Sequence, residues 1–236
     1  MLSRIAARED EDWQQFRDRF GDFFESLDKE LAVCKKAMGE LYSWLDSLVA
    51  NKVPVKPGRI ALCHALTRNG GIRSEFTITK LAANRFYVVS AGAGERYDSD
   101  YLHKMLPGDA SVALANATTS RGTFVVAGPN ARAVLAQLTD APLDNANFPW
   151  LTGQVIEVGL ATDVYALRVN FIGELGWELH FPIEYANGLF EALFAAGREF
   201  GIGMVGMRAM ESMRIEKSYR MWGSDLTPEY TPFEAG

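Results

Sequence analysis

The sequence predicts an α+β fold, with antiparallel or mixed sheets and helices packed on them. Three observations lead there. Strand-like runs and helical runs follow one another without the regular strand–helix alternation of a doubly wound sheet. Turn signals, Asn69-Gly70 and the glycine pair Gly173 and Gly176, tie neighbouring strand-like runs into hairpins. The 236 residues are 48% hydrophobic and 23% charged, a globular composition with enough apolar material for a sizeable core.

The first element is helical. From Trp13, Phe16, Phe20 and Phe23 through to Leu41, Leu45 and Leu48, apolar residues recur at steps of three and four. Unbroken, the helix 13–48 would run roughly 54 Å at 1.5 Å per residue. A compact chain of this size has a radius of gyration of about 17 Å. The segment therefore either breaks near Gly21 or Gly39 and covers a sheet, or projects and self-associates. Pro54, Pro57 and Gly58 mark a boundary, dividing a helical segment 1–50 from a larger domain 51–236.

Strands follow over 59–66 and 74–81, joined at Asn69-Gly70 by a tight primed turn with positive φ at both central residues. Further strands are expected over 85–91, 122–127, 154–158, 164–171 and 176–181. Helices are expected over 97–105, 129–139, 183–198 and 205–219, the second opening with Pro129 near its first turn.

Composition excludes several functions. A formal charge of −6 and no basic cluster argue against nucleic acid. No apolar run approaches the roughly 18 residues of a membrane span. The opening "MLSRIAARED" turns acidic where a signal peptide turns apolar. Cys34 and Cys63 make neither a disulfide framework nor a metal cluster, so a reducing compartment, the cytoplasm, is expected. The three histidines His64, His103 and His180 lack ligand spacing, and no metal is expected. Gly92-Ala93-Gly94 is a weak dinucleotide signal, since Tyr97 stands where a third small residue belongs.

Four places carry candidate chemistry. Glu75 alternates with Phe76 and Ile78 on its strand, and is either a solvated polar residue or a carboxylate fixed for catalysis. In "GELGWELHF", Trp177, Leu179 and Phe181 alternate inward and place Glu178 on the opposite face. There it is a surface residue or an acceptor for a planar N–H pair. Arg214 shares a helix face with Met207 and Met210, so it is paired internally, with Glu178 or Glu211 for example, or anchors a ligand. Cys63 and His64, adjacent on a strand, point to opposite faces and read as a core thiol and a satisfied histidine.

The phrases "KPGRIALCHALTRNGGIRSEFTITKL", "FIGELGWELHFP", "RIEKSYRMWGSDL" and "TPFEAG" resemble, in that order, the folate-binding family of the glycine-cleavage T-protein. The phrasing is most similar to the C-terminal domains of dimethylglycine and sarcosine dehydrogenases. The resemblance covers about residues 45–236. It implies a T-protein-like fold, tetrahydrofolate as cofactor, and aminomethyl or methylene transfer from an amine-derived donor that a partner protein supplies. It implies Glu75 as the catalytic carboxylate, and Glu178, Arg214, Phe171 and Ser90 as folate-binding positions. Glu75 stands where the family usually has Asp, and Phe171 where many members have Tyr. The chain ends where members continue into a barrel domain, and residues 1–40 differ from the family's opening strands. A second reading follows from these differences: a non-catalytic folate-binding or assembly module, or a fragment of a dimethylglycine or sarcosine dehydrogenase-like protein.

Overall fold

The computed structural model describes residues 39–236. Most of the heptad-like stripe, including Trp13 and Phe23, lies outside these residues. Its final part is a helix, α1, over 39–48, whose Leu45 and Leu48 pack beneath the first sheet. Here the stripe serves the chain's own core.

That sheet is an antiparallel meander of β1 (Ile60–Leu66), β2 (Ile72–Ala82) and β3 (Arg85–Val89). Cys63, Ala65, Phe76 and Ile78 are essentially inaccessible and pack against α1 and Leu102 of α2 (Glu95–Lys104). Alternation then sends His64 and Glu75 to the opposite face. The turn between β1 and β2 differs from expectation. Only Gly70 takes positive φ, at +84°; Asn69 does not. The Gly70 amide donates to the Thr67 carbonyl (3.0 Å) and the Thr67 amide to the Gly71 carbonyl (2.8 Å). The loop thus holds three residues, one more than a two-residue primed turn spans. It is a type I turn closed by a left-handed glycine and a bulge, where the register shifts between Ala65 and Leu66.

The second sheet has the order β4-β7-β6-β5, all antiparallel, from β4 (Arg121–Ala127), β5 (Gly153–Val158), β6 (Ala161–Leu167) and β7 (Gly176–Pro182). Trp177, Leu179 and Phe181 are fully buried, as their alternation predicts. They share a core with α3 (Ala131–Leu135) and with Leu189 and Leu193 of α4 (Ala186–Gly197), four apart on one helix face.

The two sheets meet through main-chain bonds from Ile60 to the Leu151 carbonyl (3.0 Å) and from Gly153 to the Gly58 carbonyl (2.8 Å). Around this seam Ile60, Tyr165 and Leu167 are buried, and Arg85 donates to the Tyr165 hydroxyl (2.6 Å). Antiparallel sheets, each backed by helices, make this the α+β architecture that the pattern predicts.

Several element ends move. The strand expected over 164–171 stops at Leu167, because Asn170 builds a local turn instead. Its Oδ1 accepts from Ile172 N (3.1 Å) and Glu174 N (3.3 Å), and its Nδ2 donates to the Glu174 carbonyl (2.7 Å). The helix expected over 129–139 is confined to Ala131–Leu135, followed by turns in which the Ala141 amide bonds to Thr139 Oγ1 (3.2 Å) before Pro142. The helix expected over 205–219 is α5 (Met207–Glu216).

After α5 the chain returns over the first hairpin and ends in α6 (Pro232–Ala235), capped by a reciprocal Thr231–Glu234 box. The Ile72 amide donates to the Tyr230 carbonyl (2.9 Å). A Cβ on Gly71 would stand 1.9 Å from the Pro228 oxygen, so this position admits no side chain while the strap lies in place. Among the described residues no helix is long and apolar enough to cross a membrane, and no cluster of three metal-ligating side chains occurs.

Candidate functional site

The β1–β2 hairpin, the β6–β7 loop with the start of β7, and the C-terminal strap enclose one large cleft of about 1100 Å³. Leu62, His64, Glu75 and Thr77 contribute from the first sheet, Phe171, Leu175 and Glu178 from the second, and Tyr219, Arg220 and Leu226 from the strap. Glu75, Glu178 and Phe171 are therefore brought together from separate parts of the sequence.

Each carboxylate is held by a histidine. Glu75 faces His64 directly across β1 and β2, with its Oε2 3.0 Å from His64 Nε2. Both side chains are about one-fifth exposed, at 22% and 19%. The His64 amide donates to Asn51 Oδ1 (3.0 Å), which ties the start of the domain to this strand. Glu178 Oε2 lies 3.3 Å from Nε2 of His180, two residues on along the same face of β7. The Nδ1 of His180 is within 3.2 Å of the Tyr87 hydroxyl and 3.1 Å of Thr123 Oγ1. Among the described residues no hydrogen bond engages Oε1 of either glutamate.

Arg214 and Ser90 are not among the residues lining the cleft. Ser90 follows β3, which is one strand beyond β2 at the sheet's far edge. Arg214 is 3% exposed, and four of its five N–H donors bond within the chain. It bonds both oxygens of Glu211, the carboxylate of Asp225 and the Tyr219 carbonyl. These bonds hold the Arg214 guanidinium firmly protonated and the Glu211 carboxyl below the usual carboxylate range. Asp225 is held low by the Met221 amide first and by Arg214 next. Of the two readings of this arginine, the internal pair is what the structure contains. Its effect on the cleft is indirect: it folds the loop 217–226 so that Ser218, Tyr219, Arg220 and Leu226 form a wall. Its guanidinium carbon also lies 5.7 Å above the Phe171 ring.

Two wall residues adopt backbone conformations unusual for their type. Leu151 has φ +57° and Ser218 φ +58°. Ser218 follows α5, with its amide bonded to the Ile215 carbonyl and the next amide to the Arg214 carbonyl, a helix stop that normally takes glycine. Such residues collect at functional sites, where the surrounding structure maintains the strain.

Residues 39–236 match the model of the GCVT N-terminal domain family. The chain belongs to that family. This GCVT domain is 35% identical to mouse mitochondrial dimethylglycine dehydrogenase over 193 residues, which are 81% of the chain and 22% of that enzyme. It is 29% identical to the mouse mitochondrial pyruvate dehydrogenase phosphatase regulatory subunit over 232 residues, 91% of this chain and 26% of that protein. Among solved structures it resembles the glycine cleavage system aminomethyltransferase T from Bartonella henselae. There the TM-score is 0.68 and the identity 28%, over 80% of this chain and 49% of that one. The chain thus spans about a quarter or less of these curated relatives and about half of that structure.

The histidines of this GCVT domain were not predicted as site residues. His180 had a signal, because two residues from Glu178 on a strand is the same face. His64 had one as well, since pairing about Asn69-Gly70 already sets position 64 opposite 75. Tyr87 and Thr123 carried none, because they reach His180 only through tertiary pairing.

Proposed function

We propose that the cleft binds tetrahydrofolate and that this chain supports transfer of a one-carbon unit to it from an amine-derived donor presented by a partner protein. The observation that carries the proposal is the arrival of Glu75 and Glu178, from different sheets, on the walls of one cleft. The residues fit the group. The cleft's volume of about 1100 Å³ accommodates a ligand of this size. Phe171, Leu175 and Leu226 offer apolar contact to a ring system, and Glu178 has an unengaged Oε1 beside its tethered Oε2. Two carboxylate oxygens in one plane suit the paired N–H donors of an amino-pyrimidinone edge.

When bound, tetrahydrofolate supplies the amine nitrogens that take up the carbon unit. Glu178 orients the ring edge, and Phe171 flanks it. Glu75, on the wall of the same cleft, would supply negative charge that favours a developing cation in a partly water-excluded site. His64, 3.0 Å from Glu75 Oε2, fixes that carboxylate and can pass a proton along the strand pair. Arg214 acts from behind the wall by holding the strap loop.

The test is anaerobic calorimetry of tetrahydrofolate with the full chain and with Glu178→Gln. Affinity that the substitution weakens about thirtyfold or more supports the proposal. A folded wild type that does not bind refutes it. A second reading, a folate-binding or assembly module without transfer chemistry, is favoured by the relative named as a regulatory subunit, which matches 91% of this chain. Binding without turnover, when an aminomethyl donor is offered, distinguishes it.

A further inference from the structure

We infer that His180 is a positioning residue that presents Glu178 to the cleft, and that the hydroxyls of Tyr87 and Thr123 set its tautomer. The inference rests on the reading of Glu178 as the carboxylate that receives the ligand's N–H edge. His180 is 3% exposed, so its ring nitrogens have protein partners or none. On one side Nε2 meets Glu178 Oε2 at 3.3 Å. A carboxylate accepts, so Nε2 carries the proton. On the other side Nδ1 meets two hydroxyls, at 3.2 Å and 3.1 Å. A hydroxyl can donate to a bare ring nitrogen, which leaves the Nε2–H form with both ring nitrogens satisfied. Burial also pushes the Tyr87 hydroxyl upward, partly opposed by Arg121, so it remains a protonated donor.

The arrangement is assembled from three strands on both sheets. Tyr87 comes from β3, Thr123 from β4, and His180 with Glu178 from β7. The β4–β7 register sets Thr123 directly opposite His180. Tyr87 stands edge-on to the imidazole, with ring centroids 5.4 Å apart. The imidazole therefore has little rotational freedom. The tether at Oε2 limits the rotation of the carboxylate and leaves Oε1, with the second lone pair of Oε2, for the ligand. This chain of contacts converts the docking of two sheets into the orientation of one oxygen atom.

Two measurements test it. The first is a long-range 1H–15N NMR spectrum of the full chain, in which His180 should show the Nε2–H tautomer. The Tyr87→Phe/Thr123→Val double variant should show a mixture. An Nδ1–H tautomer in the wild type overturns the inference, whatever the ligand. The second is a cycle of tetrahydrofolate binding. His180→Leu should weaken binding about tenfold and His180→Gln, which keeps an N–H donor, by no more than about threefold. In a Glu178→Gln background, where weakened binding is still measurable at high tetrahydrofolate concentration, His180→Leu should change affinity no further. Equal weakening in both backgrounds means that the histidine acts through general structure, and refutes the positioning role. A folded wild type without any affinity refutes the ligand reading instead, while the tautomer spectrum still decides whether His180 holds Glu178.

Discussion

Gly70 and Gly71 are adjacent and needed for opposite reasons, and substituting each with alanine separates them. At Gly71 the backbone is ordinary, but a Cβ would lie 1.9 Å from the Pro228 oxygen and 2.8 Å from its carbonyl carbon. Normal contact begins near 3.4 Å, so the strap must retreat by about 1.5 Å, more than a packed neighbour absorbs. Overpacking of this kind costs about 1–3 kcal/mol, and the bond from Ile72 to Tyr230 adds about 1 kcal/mol when broken. At roughly 2–4 °C per kcal/mol for a domain of this size, Gly71→Ala should lower Tm by roughly 4–16 °C. At Gly70 the space is open, with the nearest atom 3.7 Å away, but φ is +84°. There alanine costs about 1–2 kcal/mol from backbone strain alone, and the strap stays in place. Hydrogen exchange across residues 222–236 reads the difference. Gly71→Ala should accelerate exchange there and weaken tetrahydrofolate binding, because Leu226, Pro232 and Ala235 line the cleft. Gly70→Ala should do neither. Equal exchange in the two variants would refute the account of the strap as clamped against the hairpin.

Ser218→Gly relieves a left-handed serine and should stabilise the chain by about 1 kcal/mol, raising Tm by roughly 2–4 °C. Cys63 is fully buried, and burial, with a smaller effect of Asp46, pushes its thiol up to about 11 from an ordinary 9.0. Peptide mass spectrometry should find it unalkylated by iodoacetamide in the native chain at pH 8 and alkylated in urea. Because the native thiol keeps its proton longer than the unfolded one, stability should fall as pH rises from about 9 toward 11. Cys63→Ala should remove that component of the alkaline slope in urea midpoints. Glu75→Gln should leave tetrahydrofolate affinity within about threefold while lowering transfer at least about a hundredfold, measured as methylene-folate formed. Loss of binding in that variant would place Glu75 in ligand recognition rather than chemistry.

Periodicity located the secondary structure well because it reports which face is buried. Trp177, Leu179 and Phe181 announced β7, and Phe76 and Ile78 announced β2. Chain ends were less legible, because local side-chain bonds decide them. Asn170 ended β6 at Leu167, four residues before the end of a pattern that still read as strand, and so delivered Phe171 into a loop at the cleft. Arg214 shows the limit at the site. Its spacing on a methionine-rich face signalled a buried cation that needs anions, and Glu211, three residues before it on the same helix, was a legible partner, but Asp225 was selected by the fold of the loop after α5. The hairpin shows a different case. The turn type was misread, yet the bulge restores the pairing of His64 with Glu75 that a two-residue turn would have given.

The two carboxylates differ in what fixes them, and this bears on how the proposed functions divide. Glu178 is held through a buried histidine bonded to hydroxyls from two further strands, so its position depends on the docking of both sheets. Glu75 is held across one strand pair by a histidine that is 19% exposed, so its position depends only on the hairpin. A rigid acceptor suits recognition, where a misplaced oxygen loses two hydrogen bonds together. A more accessible carboxylate–histidine pair suits chemistry that exchanges a proton with its surroundings. On the proposed function, recognition and transfer would rest on separate supports that share one cleft. A chain that lost the Glu75–His64 pair could keep its ligand, whereas one that lost the His180 contacts would forfeit affinity first.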